Sequence, residues 1–178
     1  MNFKLFSPLL LAGVAMVSQQ ALASDGTITF NGEIVANTCV VNGGNGNFTV
    51  TLPKVGANSL AAIGATAGRT PFQIALSGCS WPDGTKVHSY FEAGTTVDST
   101  TGKLITGNST VQIALLNADG NPITAGSPDA TQASQQATQM VVVTNGAATL
   151  PYFAEYYATQ KAVPGMANTM VVYTIVYN

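Results

Sequence analysis

The sequence predicts an all-β sandwich, because segments with the period of a β-strand recur along it and turn residues separate them. Apolar and polar residues alternate over 72–76, as they do where one face of a strand is buried. The pairs Asp119-Gly120 and Asn145-Gly146 favour tight hairpin turns. Strands that follow one another about every ten residues, with turns between them, are typical of a sandwich.

The other elements are predicted, in chain order, from the same strand period and the same turn residues. An alternating segment at 24–37 is predicted to be extended, and the Ala-rich residues 57–67 favour one or two helical turns, limited by Gly64 and Gly68. Residues 124–139 have no clear period and predict a long surface loop. Further strands are predicted at 48–52, 72–76, 87–93, 111–116, after Pro122, at 141–143, at 150–158 and at 169–178.

The last predicted strand, 169–178, is unusual because both of its faces are largely apolar. A strand of this kind is normally packed between two layers and not left at a solvated surface. One face carries Val171, Tyr173, Ile175 and Tyr177, and the other carries Met170, Val172, Thr174 and Val176.

Residues 1–23 have the build of a secretory signal peptide. Lys4 precedes an apolar run, and residues 21–23 supply a small-x-small cleavage site. The apolar run is shorter than the ~20 residues that a membrane-spanning helix needs, and Pro8 interrupts it. We therefore expect an exported chain that begins at Ser24 after cleavage.

Charge is scarce in this chain and slightly negative in balance. Six Lys and Arg residues oppose eight Asp and Glu residues, and charged residues make up 8% of the sequence. No basic patch is available to neutralise phosphates, so nucleic acids and anionic membranes are poor candidates for partners. The composition fits a β-rich extracellular protein whose surface is buried against other copies of itself.

Two cysteines, Cys39 and Cys79, are predicted to form a disulfide, because export places them in an oxidising compartment. Such a bond would close a loop of about 40 residues and stabilise the fold by roughly 4 kcal/mol. A metal site is a weaker interpretation, since further Cys or His ligands are lacking.

The sequence offers little support for catalysis. It contains one His, few carboxylates, no glycine-rich phosphate loop and no nucleophile elbow. His88 and Ser89 are adjacent, and neighbours on a strand point to opposite faces, so a surface histidine is the simpler interpretation. We predict no catalytic residue, no metal site and no cofactor.

Strands are predicted at both ends of the mature chain, and two arrangements of them remain open. The N-terminal alternating strand lies ahead of Cys39, with no turn signal between the two. It can pair with the C-terminal strand inside one domain. Alternatively, it can be donated to another chain, as in β-augmentation.

Both ends of the chain resemble the major pilins of type 1-like fimbriae, which the chaperone-usher pathway assembles. The segment 26–35, GTITFNGEIV, followed by Cys39, is similar to the donor-strand and first-strand signature of that family. Gly165, fourteenth from the C-terminus, and the penultimate Tyr177 correspond to the glycine and tyrosine of the family's terminal motif.

Internal blocks extend the resemblance over essentially the whole mature chain, most weakly between about 85 and 135. Residues 71–79 and 150–158 are similar to blocks of the same family, and Cys79 falls at the family's usual distance from Cys39. One departure is that only two residues, Ser24 and Asp25, precede Gly26, so the extension is shorter at its tip than in some relatives.

The resemblance implies an incomplete immunoglobulin-like β-sandwich that lacks its final strand and is completed by a donor strand from a neighbouring subunit. Residues 24–33 would form the donor-strand extension, and residues 34–178 the pilin domain. In the family, a periplasmic chaperone fills the resulting groove first, and the N-terminal segment of the next subunit replaces it.

The same resemblance assigns roles to individual residues. Gly26, Ile28 and Phe30 would be the inward-facing donor residues, and Gly26 would fit a narrow position. The groove would lie between residues 34–39 and residues 171–177. Residues expected to contact the groove occupant or the chaperone are Gly165, Val171, Tyr173, Ile175, Tyr177 and Asn178, the last through its terminal carboxylate.

The resulting hypothesis is a non-enzymatic structural subunit of a fimbrial shaft that supports adhesion. Its expected partners are other copies of itself in a homopolymer, a periplasmic chaperone, an outer-membrane usher and, as a further candidate, a tip adhesin. It would pass through the periplasm to a fimbria on the cell surface. The alternatives are a minor tip or adaptor pilin, an adhesin that binds a host ligand, and a secreted hydrolase that uses His88.

Overall fold

The computed structural model describes residues 29–31, 39–127 and 136–178. The chain divides into two compact units, Met1–Val35 and Ala36–Asn178. No helix among the described residues is long and apolar enough to cross a membrane. In chain order, the strands are β1 (Val40–Val41), β2 (Thr66–Ser77), β3 (Lys86–Phe91), β4 (Leu104–Ile105), β5 (Val111–Asn117), β6 (Pro122–Ile123), β7 (Val141–Val142), β8 (Ala148–Ala158) and β9 (Tyr173–Tyr177).

The larger sheet contains six of these described strands, all paired antiparallel. Five of them run in the order β1-β2-β8-β5-β4, and β6 also pairs with β5. The long strands β2 and β8 form its centre, where Ile74 lies opposite Leu150. Their register shifts between Ala67 and Thr70, at Gly68, whose φ is 68°. Glycine adopts this left-handed backbone conformation without the steric cost that other residues meet.

The smaller sheet contains β7, β3 and β9 in that order. The two pairings are antiparallel, and the register of β3 with β9 places Val87 opposite Tyr177 and Phe91 opposite Tyr173. β9 is therefore an edge strand of this sheet within the described part of the chain.

The two sheets pack against each other around an apolar core. The side chains of Ile74 and Leu150 in the larger sheet and Val87 in the smaller sheet are each 0% exposed. Phe91 of β3 meets Tyr152 of β8 edge to face, with ring centroids 5.5 Å apart. The all-β sandwich predicted from the sequence is confirmed.

The hairpin turns predicted from glycine-containing pairs are also confirmed. Asn145 and Gly146 have φ of 51° and 68°, and residues 144 and 147 bridge across them. Two successive positive φ values are what a type I′ turn requires. Gly120, with φ 85°, completes the turn that joins β5 to β6. The Ala-rich stretch contains one 3₁₀ turn, at Ala57–Leu60.

A disulfide joins Cys39 and Cys79, as the sequence predicts. Cys39 lies immediately before β1, and Cys79 follows two residues after β2 ends. Since β1 and β2 pair with each other, the bond fastens one end of this antiparallel pair.

One segment predicted to be a strand lacks the hydrogen-bonded ladder that defines one, and another has it over only part of its length. Residues 48–52 form no strand, and the predicted strand 169–178 is shortened to β9. Its expected burial on both faces is wrong as well, because Met170 and Val172 are 72% and 66% exposed. The reason is the same in both places: each segment borders an open groove where a neighbouring strand is missing.

The predicted surface loop at 124–139 is buried at both of its described ends. Ala125 and Gln136 are 2% and 1% exposed, whereas residues 128–135 lie outside the described residues. The Gln136 amide accepts a hydrogen bond from the backbone N–H of Phe91 and donates one to its carbonyl. Its side chain thus replaces a strand partner at the end of β3.

The prediction of a surface histidine at position 88 is also wrong. His88 is 3% exposed, and its Nδ1 lies 3.3 Å from Nδ2 of Asn178. Ser89 beside it is 0% exposed and belongs to the opposite face of β3. Burial of His88 follows from its position in β3, between β7 and β9.

Candidate functional site

An open groove of about 1770 Å³ lies among the described residues. It runs between two stretches of chain, residues 46–57, here called the first wall, and residues 163–177, the second wall. Its floor is formed by core side chains of both sheets, most of which are less than 5% exposed. These floor residues include Ile74, Phe91, Ile113, Leu115, Ala154 and Tyr156.

The first wall has an apolar side toward the groove but no strand partner. Phe48 lies with its ring centroid 6.2 Å from that of Phe72, and Leu52 packs against the buried core. Within the described part of the chain, no hydrogen bond uses the backbone of residues 48–55. An apolar strand with unpaired backbone groups is able to pair with another chain.

The second wall is hydrogen bonded on one side only. The carbonyls of Asn168, Met170 and Val172 accept bonds from Gly107, Thr96 and Glu92, which lie on the side away from the groove. The intervening residues 169 and 171 use no backbone group in any hydrogen bond among the described residues. Because successive residues of an extended chain direct their backbone groups to opposite sides, these unpaired groups point into the groove.

Two hydrogen bonds join the two sides of the groove, one just beyond the ends of the walls and one between the walls themselves. At one end, the backbone N–H of Ala162 donates to the carbonyl of Leu60 at 2.9 Å, and both residues are buried. Towards the other end, the Tyr173 hydroxyl donates to the carbonyl of Gly46 at 2.6 Å. The walls therefore run antiparallel to each other and enclose an elongated apolar slot.

The electrostatics of the groove favour a neutral, apolar occupant. Lys54 is the one charged residue among the described residues that line it. Burial raises the pKa of both Tyr173 and Tyr177 above the usual value, so these hydroxyls stay neutral at physiological pH. No cluster of His, Cys, Asp or Glu within the described ranges is suited to hold a metal ion.

Most of the C-terminal residues singled out from the sequence lie in the groove. Gly165, Val171, Tyr173, Ile175 and Tyr177 all line it. A side chain at Gly165 would place its Cβ 3.1 Å from Nδ2 of Asn108, which explains why a glycine suits this close approach.

Asn178 does not line the groove. Its backbone exchanges two hydrogen bonds with Lys86, of 3.1 Å and 2.8 Å, and so holds the end of the chain beside β3.

The predicted donor residues fall mostly outside the described part of the chain. Gly26 and Ile28 lie there, as do residues 34–38, which were expected to form one wall. Phe30 is described, and its side chain is 89% exposed. The roles of these residues stay predictions.

Sequence reasoning missed the first wall. It expected residues 34–39 to form this side of the groove, and since residues 34–38 lie outside the described residues, that expectation stays a prediction. In the described part of the chain, residues 46–57 border the groove. The available signal was the alternation of Phe48, Val50 and Leu52 ahead of a proline. That pattern identifies an extended segment, but it does not reveal that the segment has no partner.

Comparison with known proteins yields a family and several relatives. Residues 52–178 match the family model described as "FimA: Type-1 fimbrial protein, A". The major fimbrial subunit SMF-1 of Stenotrophomonas maltophilia is 44% identical over 164 residues, covering 89% of this chain and 95% of that protein. The F17 fimbrial protein of Escherichia coli is 45% identical over 171 residues, covering 92% and 93% respectively.

A solved structure shares the fold. The crystal structure of the P pilus rod subunit PapA superposes with a TM-score of 0.63 at 16% identity, covering 80% of this chain and all of that one (100%). Identity at that level supports the fold alone. With its missing strand, the fold is an incomplete immunoglobulin-like β-sandwich.

Proposed function

We propose that this chain, which belongs to the type-1 fimbrial protein family and is a structural subunit of a fimbrial shaft, polymerises by accepting a strand of another copy into its groove. The observation that carries the proposal is the pair of facing walls with unpaired backbone groups, which border a groove lined mainly by apolar residues. A strand inserted between them would cover the floor and pair with both walls.

Physical chemistry supports an occupied groove as the functional state. Unpaired backbone groups near an apolar surface are costly, and an uncovered sheet edge promotes unwanted association. A strand from a second copy removes both costs and at the same time links two subunits. Relatives that are named as fimbrial subunits are consistent with this use.

The predicted extension, residues 24–33, fits such a strand in length and pattern. Ten extended residues span about 33 Å, and the facing residues 46–56 have a similar reach. Ile28 and Phe30 would point to the floor, with Gly26 at a narrow position, while Thr27 and Thr29 would face solvent. The exposed Phe30 side chain supports this assignment, because burying a large apolar side chain that is in contact with water lowers the free energy substantially.

Before assembly, the groove needs a temporary occupant. We propose that the signal peptide directs the chain to the periplasm, where a chaperone covers the groove until an usher exchanges it for the next subunit. The terminal carboxylate of Asn178 would serve as a contact for the chaperone, because Asn178 directly follows Tyr177, the last residue of β9 and of the second wall. The assembled product would be a fimbria on the cell surface.

Charge placed on either face of the extension tests the proposal. We expect the double variant Ile28→Asp, Phe30→Asp to abolish fibre assembly in the native bacterium, because two carboxylates cannot enter an apolar groove unpaired. The matched control, Thr27→Asp, Thr29→Asp, adds the same charge on the other face and should assemble. Fibres are counted by electron microscopy, and periplasmic subunit is quantified by immunoblot.

Two outcomes would contradict the proposal. Normal fibres from the Ile28→Asp, Phe30→Asp variant would show that these side chains do not enter a groove. Equal loss of fibres in both variants would show that the extension acts through its charge or its export and not through one inward face.

A further inference from the structure

We propose that Tyr173 and Gly46 form a strap across the groove, which must open before a strand enters and which limits the rate of strand insertion. The inference rests on the proposed function and deepens it, because it concerns the step at which the groove accepts its occupant.

The strap joins the two walls directly. Tyr173 belongs to β9 on the second wall, and its hydroxyl donates a 2.6 Å hydrogen bond to the carbonyl of Gly46 on the first wall. This length is at the short end of the range for bonds between a hydroxyl and an oxygen. Since the acceptor is a backbone carbonyl, it holds the chain of the first wall and not merely a side chain.

A cluster of three aromatic rings reinforces the bond. Phe48 of the first wall packs edge to face against Tyr173, with ring centroids 6.1 Å apart. The same Phe48 ring lies 6.2 Å from that of Phe72 in β2. Aromatic pairs in such arrangements are attractive beyond the area they bury. The cluster therefore adds to the closure at the same point of the groove.

The strap lies across the groove and not at its end. Groove residues continue beyond it to Val41, Ile175 and Tyr177 on one side, and along the first wall to Ala57 on the other. A strand that occupies the whole groove must therefore pass the point where Tyr173 contacts Gly46. The bond between Ala162 and Leu60, in contrast, joins buried residues at the far end and has no need to break.

The rate at which a strand peptide enters the groove tests the strap. The probe is a synthetic peptide of residues 24–36 with a fluorophore at its C-terminus, mixed with the oxidised mature chain, residues 24–178. In Tyr173→Phe the ring remains but the hydrogen bond is lost, and we expect the association rate to rise about fivefold, the effect of one ordinary hydrogen bond. Phe48→Leu, on the opposite wall, should also raise the association rate.

Tyr90→Phe is the matched control. Tyr90 lies on β3, next to β9, and is not among the groove residues. This variant loses a tyrosine hydroxyl without touching the strap, so its association rate should equal that of the wild type.

The outcomes separate the strap from the proposed function. If the peptide binds the wild type and both strap variants at equal rates, or binds Tyr173→Phe more slowly, the strap proposal is wrong. The proposed function is not affected by that result. Absence of peptide binding to every chain, the wild type included, would overturn both. If Tyr173→Phe fails to fold, Phe48→Leu decides by the same criterion.

Discussion

The Nε of Arg69 donates a 2.8 Å hydrogen bond to Oε2 of Glu155, which makes an ion pair between β2 and β8 on the outer face of the larger sheet. The Glu155 side chain is only 7% exposed, whereas that of Arg69 is 48% exposed. The guanidinium also lies 5.9 Å above the centre of the Phe153 ring. The charge of this nearly buried carboxylate, in the middle of a sheet, is thus balanced by one partner, Arg69.

We expect Arg69→Met to lower the free energy of unfolding, because it leaves the Glu155 carboxylate buried and unpaired. The double variant Arg69→Met, Glu155→Gln should recover part of that loss, since a neutral amide is far less costly to bury. Urea unfolding of both variants and the wild type measures the difference. Equal stability of the single and double variants would mean that the carboxylate does not need its partner.

The disulfide should contribute more to stability than any single contact. Cys39 and Cys79 are separated by 40 positions, and closing a loop of that size stabilises the folded state by roughly 4 kcal/mol. We expect Cys39→Ser, Cys79→Ser to lose about that much in urea unfolding. A reducing agent should destabilise the wild type similarly and leave the double variant unchanged. A loss below about 1 kcal/mol would contradict this contribution.

The long strands β2 and β8 were largely predictable from the sequence, because over much of their length every second residue is the more buried one. In β8, Leu150, Tyr152 and Ala154 are buried, and the residues between them face outward. Each such strand has partners on both sides, so the local pattern and the final structure agree.

The groove was only half predictable, for a physical reason. The C-terminal wall carries apolar residues on both faces, which is unusual enough to indicate a second contact. The first wall has an ordinary alternating pattern at Phe48, Val50 and Leu52. The same pattern occurs in strands that have neighbours on both sides, so it does not predict an open groove. Burial of His88 escaped prediction because it depends on chain segments distant in sequence, such as Asn178.

Gly102 is predicted to be among the least replaceable glycines of the chain. Its φ is 66°, and a Cβ there would lie 2.5 Å from Cγ2 and 2.6 Å from Cα of Thr124. We expect Gly102→Ala to lose about 2–4 kcal/mol of unfolding free energy, from left-handed backbone strain and overpacking together. Thermal and urea unfolding both check this value.

Gly94→Ala is the control for that substitution. No atom lies within 4 Å of a Cβ built at Gly94, and its backbone is not in the left-handed region. Its stability should stay within about 0.5 kcal/mol of the wild type, as at an ordinary surface position. A comparable loss in both variants would show that the contact with Thr124 is not the cause.

Tyr152 should make stability depend on alkaline pH. Burial raises the pKa of Tyr152 above its ordinary value of 10.0, and this effect outweighs the opposing effect of nearby Ser89. Below pH 10, the hydroxyl is protonated in both the folded and the unfolded state, so its contribution to stability is constant. Above pH 10, the unfolded chain releases the proton while the folded chain retains it, so stability falls as pH rises, until the folded pKa is passed.

Tyr152→Phe isolates this contribution. We expect the variant to lose stability less steeply above pH 10, by roughly 1.4 kcal/mol per pH unit, which corresponds to one proton. At neutral pH the change should be small, because the Tyr152 and Ser89 hydroxyls are buried without a well-formed hydrogen bond among the described residues. Urea unfolding at a series of pH values measures both effects. An unchanged slope would mean that Tyr152 ionises as readily in the folded chain as in the unfolded one, and that the core admits its phenolate.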